Sequence, residues 1–275
     1  MSMFPAMDTA VSGLQQFQQD INVIGNNIAN VNTTAYKDQR IDFQDTLSQA
    51  LGTDPSVMVG TGVTTTPVES NFAVGAVAST GVNTDMAITG NGFFVVRDPS
   101  TGAQYLTRAG DFQLDASGYL VTSQGFRVQG FSDSGLSTMG DIKIDTTGAP
   151  AADAGATVSS FGVDATGRIN VTLSDGATFT RGQVLLQNCE DPNALVNSGD
   201  NLYSATTAAG MLSQSVAPQT AGVGAIQSDA LETSNVDLTD EMSNLITAQR
   251  AFEANSKIIT TGDEILQDVV NLKRS

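Results

Sequence analysis

Apolar residues recur at a spacing of seven at both ends of the chain. Near the N-terminus, Met7, Leu14, Ile21 and Ile28 form one row, and Ala10, Phe17, Ile24 and Val31 form a second row three residues on. Gln, Asn and Asp fill most of the positions between them. Two such rows share one helix face, so the pattern predicts a long amphipathic helix with a narrow apolar stripe. Gly25 and the run Asn26, Asn27, Asn30 and Asn32 are poor helix formers, which predicts an end near Asn30 to Thr33. The C-terminal end mirrors this: Leu238, Leu245, Phe252, Ile259 and Leu266 recur at seven, with Ala251, Ile258, Ile265 and Leu272 as an adjacent row. Asp237 is the expected N-cap, and Asp240 suits the positive end of the helix. Lys273 and Arg274 stand where cations complement a helix C-terminus, and Gly262 alone argues against an unbroken helix.

Between the ends, the pattern changes to period two and to turns. Phe93, Val95, Tyr105, Phe112, Leu114, Tyr119 and Val121 read as short strands. Phe112 to Leu120 echoes Phe161 to Ile169, each a strand, an Asp-Ala-Ser/Thr-Gly turn and a strand. Gly118 and Gly167 end those turns, where a hairpin with a bulge needs the left-handed conformation. Three stretches, 52–66, 146–157 and 205–228, read as loosely structured or extended. The fold class is α+β, with paired N- and C-terminal helices in a coiled-coil arrangement and a β-rich middle. The expected boundaries are 1–34 for the first helix, 35–66 for an extended linker, 67–227 for the β-rich domain and 228–275 for the second helix.

Composition narrows the function classes. The net charge of −17, from 12 basic and 29 acidic residues, opposes binding to nucleic acid. No stretch approaches membrane-spanning length, so no membrane insertion is expected, and the first twenty residues carry no cleavable secretory signal. There is no His, which removes the commonest general base and most zinc sites. Gly60-Thr-Gly62 and Gly90-Asn-Gly92 complete no phosphate-binding motif and read as turns. Asp111, Asp115, Asp164 and Asp175 could pair for glycoside hydrolysis, but each adjoins a turn, and the chain has no Trp to form a sugar platform. No catalytic, cofactor or metal residue is assigned. The lone Cys189 follows a strand pattern and is expected to be a buried structural thiol.

Helical apolar rows often form a core within one chain. Here both ends carry them and neither adjoins a large apolar middle, which favours assembly among copies. The assembly face is expected at Met7, Leu14, Phe17, Ile21, Ile24 and Ile28 of the first helix and at Leu238, Leu245, Phe252, Ile259 and Leu266 of the second. Asn26, Asn27 and Asn30 admit two roles: hydrogen bonds between neighbouring helices that fix register, or simple helix termination. Each helix has polar breakers and an unburied stripe, so folding of both ends is expected to accompany assembly.

The segments Ser12-Gly-Leu14, Asp20 through Asn32 and Ala35-Tyr-Lys37 closely resemble the N-terminal signature of the flagellar rod and hook family. Leu231 through Leu238, Ala248-Gln-Arg250, Asn255 through Ile258 and Asp263 through Leu266 resemble its C-terminal signature. Gly90-Asn-Gly-Phe-Phe94 and Thr107-Arg-Ala-Gly-Asp-Phe112 fit its middle. The resemblance implies a self-assembling helical homopolymer, with the paired helices as an inner tube and the β-rich domain outside. It also implies passage through the type III export apparatus without a cleaved signal, residence in the hook-basal body, and flagellar rod and hook–filament junction proteins as neighbours. Within the family the closing stretch is most like a compact hook protein. The segment between Phe43 and Gly60 looks short for a distal rod protein, although a length of 275 residues suits one. The expectation is therefore a hook subunit, with a distal rod protein as the alternative and an extracellular β-rich adhesin as a remote one.

Overall fold

The computed structural model describes residues 5–46, 49–50, 58–149, 156–210 and 214–272. The chain divides into two compact units. The first comprises residues 1–31, 38–71 and 236–275, and the second residues 32–37 and 72–235.

In the first unit the two ends of the chain form helices that pack on each other: α1, Pro5–Ala29, and α2, Leu238–Leu272. α1 stops at the asparagine run, as its composition predicts. The Asn30 side-chain amide donates to the Asn26 backbone carbonyl at 2.9 Å, closing the last turn in place of a further helical residue. α2 begins where expected: the Asp237 carboxylate accepts from the backbone N–H of Thr239 at 2.8 Å and of Asp240 at 3.4 Å. Gly262 does not break the helix. A Cβ there would lie 3.2 Å from both Cγ and Sδ of Met7, so the glycine admits the side chain of α1 to the helix surface. Lys273 and Arg274 lie outside the described residues.

The segment expected to be an extended linker is in part paired. Phe43–Asp45 forms an antiparallel ladder with Val63–Thr65, and Gln39–Arg40 pairs with Glu69–Ser70. Contacts with α1 hold this ladder: Phe17 and Phe43 rings sit 5.3 Å apart, and Thr65 Oγ1 donates to Gln19 at 3.1 Å. The described parts of 52–66 and 205–228 likewise include strands, Met58–Val59, Val63–Thr65 and Ala225–Ser228. The missed signal is short alternation such as Val63-Thr-Thr65, too brief for a period to declare itself.

The second unit is built on an antiparallel sheet. Its main path runs through 158–163, 168–173, 178–184, 127–131, 93–97, 104–107, 202–204 and 196–199. The strand Phe93–Arg97 explains why Phe-Phe-Val-Val is apolar throughout. Phe94 and Val96 enter one buried cluster with Phe112, Leu120, Val128 and Ile169, while Phe93 and Val95 enter another with Leu106 and Tyr203. Cys189 is buried in that second cluster. The two echoed hairpins share one device. Asp115 Oδ1 accepts from the N–H of Ser117 and of Tyr119, both at 2.8 Å, and Asp164 Oδ1 accepts from Thr166 and Arg168 at 2.8 and 3.0 Å. Gly118 and Gly167 take φ of 84° and 79° at the left-handed position.

Candidate assembly interface

The seam between α1 and α2 is made of small and aliphatic side chains. Ala10, Gly13 and Ile24 are buried on α1, with Met7, Leu14, Phe17, Ile21 and Ile28 half-buried. On α2 Ala248 is buried, and Leu245, Phe252, Ile259 and Leu266 are half-buried. Small residues let the helices approach: a Cβ on Gly13 would come within 3.1 Å of the Asn255 amide. The row that accompanies Leu245 and Phe252 into the seam is Glu241, Ala248, Asn255 and Gly262. The row expected there, Ala251, Ile258, Ile265 and Leu272, turns outward from Ile258 onward, and Leu238 is 44% exposed at the helix start. The physical reason is size. Helices that close on glycine and alanine exclude a row of isoleucines from the same line.

The three asparagines divide between the two roles. Asn26 and Asn30 bond to each other across the last turn of α1. Asn27 is buried and joins three segments of this unit. Its amide nitrogen lies 2.7 Å from Asp38 Oδ1, 2.8 Å from the Gln39 carbonyl and 3.3 Å from Glu241 Oε2, and its Oδ1 accepts from the Gln39 N–H at 3.1 Å. Asp20, Asp38 and Glu241 line a cleft of about 480 Å³ beside it. Burial pushes all three carboxyls above their usual range, and Asp38 and Asp20 raise Glu241 further by repulsion. Arg40 opposes the shift at Asp38, and the Asn27 amide opposes it at Glu241.

The second unit holds a buried ion cluster that sequence reasoning left without a role. Lys37 Nζ lies 2.6 Å from Glu232 Oε1 and donates to the Ala73 carbonyl at 2.8 Å. Arg108 Nη1 lies 3.4 Å from Glu232 Oε2, and its Nη2 donates to the Gly90 carbonyl at 2.8 Å. The Gly75 N–H donates to the same carboxylate at 2.8 Å. All three charged side chains are fully or almost fully buried. Burial pushes the Lys37 ammonium below its usual value, with Glu232 opposing the shift. Lys37, Arg108, Gly90 and Glu232 each sit in one of the sequence motifs: Ala35-Tyr-Lys37, Thr107-Arg-Ala-Gly110, Gly90-Asn-Gly92 and Leu231-Glu232. The available signal was a charge set among small and apolar residues in three of them, at Lys37, Arg108 and Glu232.

A pair of terminal helices in one compact unit, with a β-sheet unit built from the middle of the chain, is an architecture suited to a structural subunit, and the arrangement holds no catalytic constellation among the described residues. Three family profiles match it in order: "Flagella basal body rod protein" over residues 7–37, "Flagellar hook protein FlgE/F/G D1 domain" over 87–171, and "Flagellar basal body rod FlgEFG protein C-terminal" over 227–272. The flagellar basal-body rod protein FlgG of Bacillus subtilis is 39% identical, covering 99% of this chain and 100% of the relative. FlgG of Buchnera aphidicola subsp. Baizongia pistaciae is 35% identical over 96% of this chain and 98% of its own. The flagellar hook protein FlgE of Treponema pallidum is 42% identical, but over 47% of this chain and 30% of its own. The chain belongs to the flagellar rod and hook protein family. The family is a structural one, so the chain is a flagellar structural subunit and not an enzyme. The end-to-end matches are to rod proteins, so the preference for a hook subunit gives way to the rod alternative. Among the described residues no helix is long and apolar enough to cross a membrane.

Proposed function

We propose that the chain is the distal rod subunit of the flagellar basal body, a tubular homopolymer built through its terminal helices. The observation that carries this reading is the alignment with a rod protein along essentially the whole of both chains. In this reading the helix pair is the tube-forming part and the β-sheet unit is the outer part. Subunits leave the cytoplasm unfolded through the export apparatus, and the helix pair completes its folding on assembly. A second reading, the hook subunit, is favoured by the partial match to a hook protein alone.

Deleting the gene and imaging purified basal bodies by electron microscopy tests the assignment. A truncated rod with no hook is the expected result. Complete rods that lack hooks would transfer the assignment to the hook.

A further inference from the structure

α2 carries apolar side chains on more than the seam. At about 100° per residue, its apolar positions fall into three stripes separated by roughly a third of a turn. One is the seam with α1. The second, in the N-terminal half, holds Met242 and Ile246, which are 44% and 52% exposed. The third, in the C-terminal half, holds Ile258, Ile265 and Leu272, which are 47%, 52% and 75% exposed. Between the third stripe and α1 runs a shallow apolar groove of about 540 Å³, flanked by Met7 and floored by Ala254, Ile258, Thr261 and Ile265. Contiguous apolar surface of this kind on a helix pair marks a contact site.

We propose that the Met242–Ile246 stripe of one copy docks in the Ile258–Ile265 groove of a second copy, making a head-to-tail contact. This rests on the assembly reading above and names its contact. Three features favour another copy as the occupant. The two surfaces differ in azimuth and in position along the same helix, so joining one to the other leaves a free ridge at one end and a free groove at the other, and the contact propagates from copy to copy as a homopolymer requires. Their shapes are complementary, a ridge of unbranched and β-branched side chains against a groove that small residues leave open. Their charges also match: Lys257 lines the groove, while Glu253 continues the Met242–Ile246 stripe two turns on, and neither forms an ion pair among the described residues.

The experiment uses full-length chain with Met242→Asp/Ile246→Asp as a ridge variant and Ile258→Asp/Ile265→Asp as a groove variant. The substituted residues are exposed, and circular dichroism checks that helix content is kept. Under conditions where the unmodified chain sediments as polymer, each variant alone should remain monomeric, and an equimolar mixture should give a 1:1 dimer in analytical ultracentrifugation. The mixed dimer forms because each variant retains the surface the other has lost. An Ile246→Cys/Ile265→Cys chain, oxidised with diamide, gives a second readout that does not depend on blocking assembly. It should yield a ladder of covalent multimers. Polymer from either Asp variant, no dimer in the mixture, or no ladder would overturn the pairing while leaving the assembly reading intact. An unmodified chain that forms no polymer under any assembly condition would sink both.

Discussion

Replacing Glu232 by Gln is the sharpest test of how the β-sheet unit is held together. The change keeps the shape of the side chain and removes the negative charge facing Lys37 at 2.6 Å and Arg108 at 3.4 Å. Two cations are then left buried without a counter-charge. Breaking a buried ion pair by removing one partner costs about 3–5 kcal/mol, most of it the desolvation of the charge that remains. A loss of that size is a large fraction of the roughly 5–15 kcal/mol that stabilises a domain. With a urea m-value of about 2 kcal/mol/M, the midpoint for unfolding of the sheet should fall by about 2 M. Urea titration followed by near-ultraviolet circular dichroism reads this directly, since Tyr203 and Tyr36 lie buried in this unit. A companion variant, Lys37→Met/Arg108→Met/Glu232→Leu, removes all three charges and should recover most of the loss, because an apolar replacement has no charge to desolvate. A midpoint shift below about 0.5 M for Glu232→Gln would show that water or relaxation compensates the charges, and the Lys37–Glu232–Arg108 cluster would have little energetic weight.

Other outcomes follow from the helix unit. Asn27→Ala should destabilise the pairing of α1 and α2 by about 1–3 kcal/mol, because it strips the buried Glu241 carboxylate of its amide donor; thermal melting at 222 nm measures it, and an unchanged melt would remove Asn27 from the seam. Phe252→Asp should prevent polymerisation while leaving the sheet folded, since an unpaired charge against α1 costs several kcal/mol; sedimentation and the β-signal in circular dichroism report the two separately, and polymer from this variant would move the assembly surface elsewhere. The folded carboxyls of Asp20, Asp38 and Glu241 lie above their ordinary values, so the folded state takes up protons before the unfolded state does. The helix unit should therefore gain stability as the pH falls from neutrality through those raised values toward the unfolded values, 3.8 for Asp and 4.5 for Glu, and a helix melting temperature that drops over that window would contradict it. Asp141 and Asp145, held below their ordinary values chiefly by Gln129, Arg97 and Arg181 against the opposing effect of burial, should work the other way in the sheet unit and weaken it below about pH 4.

Both helices were legible in the sequence because long periodic segments announce themselves. Asp237 and the asparagine run fixed their inner ends through cap chemistry that is local to the chain. The Asp-Ala-Ser/Thr-Gly hairpins were legible for the same reason, since each turn is completed by its own Asp side chain and a glycine. Which apolar row faces the partner helix was not legible. A heptad row of isoleucines outranks Ala248 and Gly262 on hydropathy, yet close packing selects the smaller residues, and that choice depends on what the other helix presents. The Lys37–Glu232–Arg108 cluster was invisible as a unit, because its members stand far apart in sequence and only the folded topology brings them to one carboxylate. The short ladders of 39–45 and 63–70 carry too few residues for any period to separate them from coil.

The Ala35 N–H donates to the Glu232 carbonyl at 2.8 Å, so the short piece 32–37 is tied to the last strand of the sheet unit beside the Lys37–Glu232 contact. In an assembled subunit this tie governs how a load reaches the sheet. A pull that separates residue 35 from residue 232 is met first by this hydrogen bond and the Lys37–Glu232 ion pair, and the strands between them carry it only after those part. Such a tie works as a drawstring: while it holds, the loop of chain beyond it stays slack.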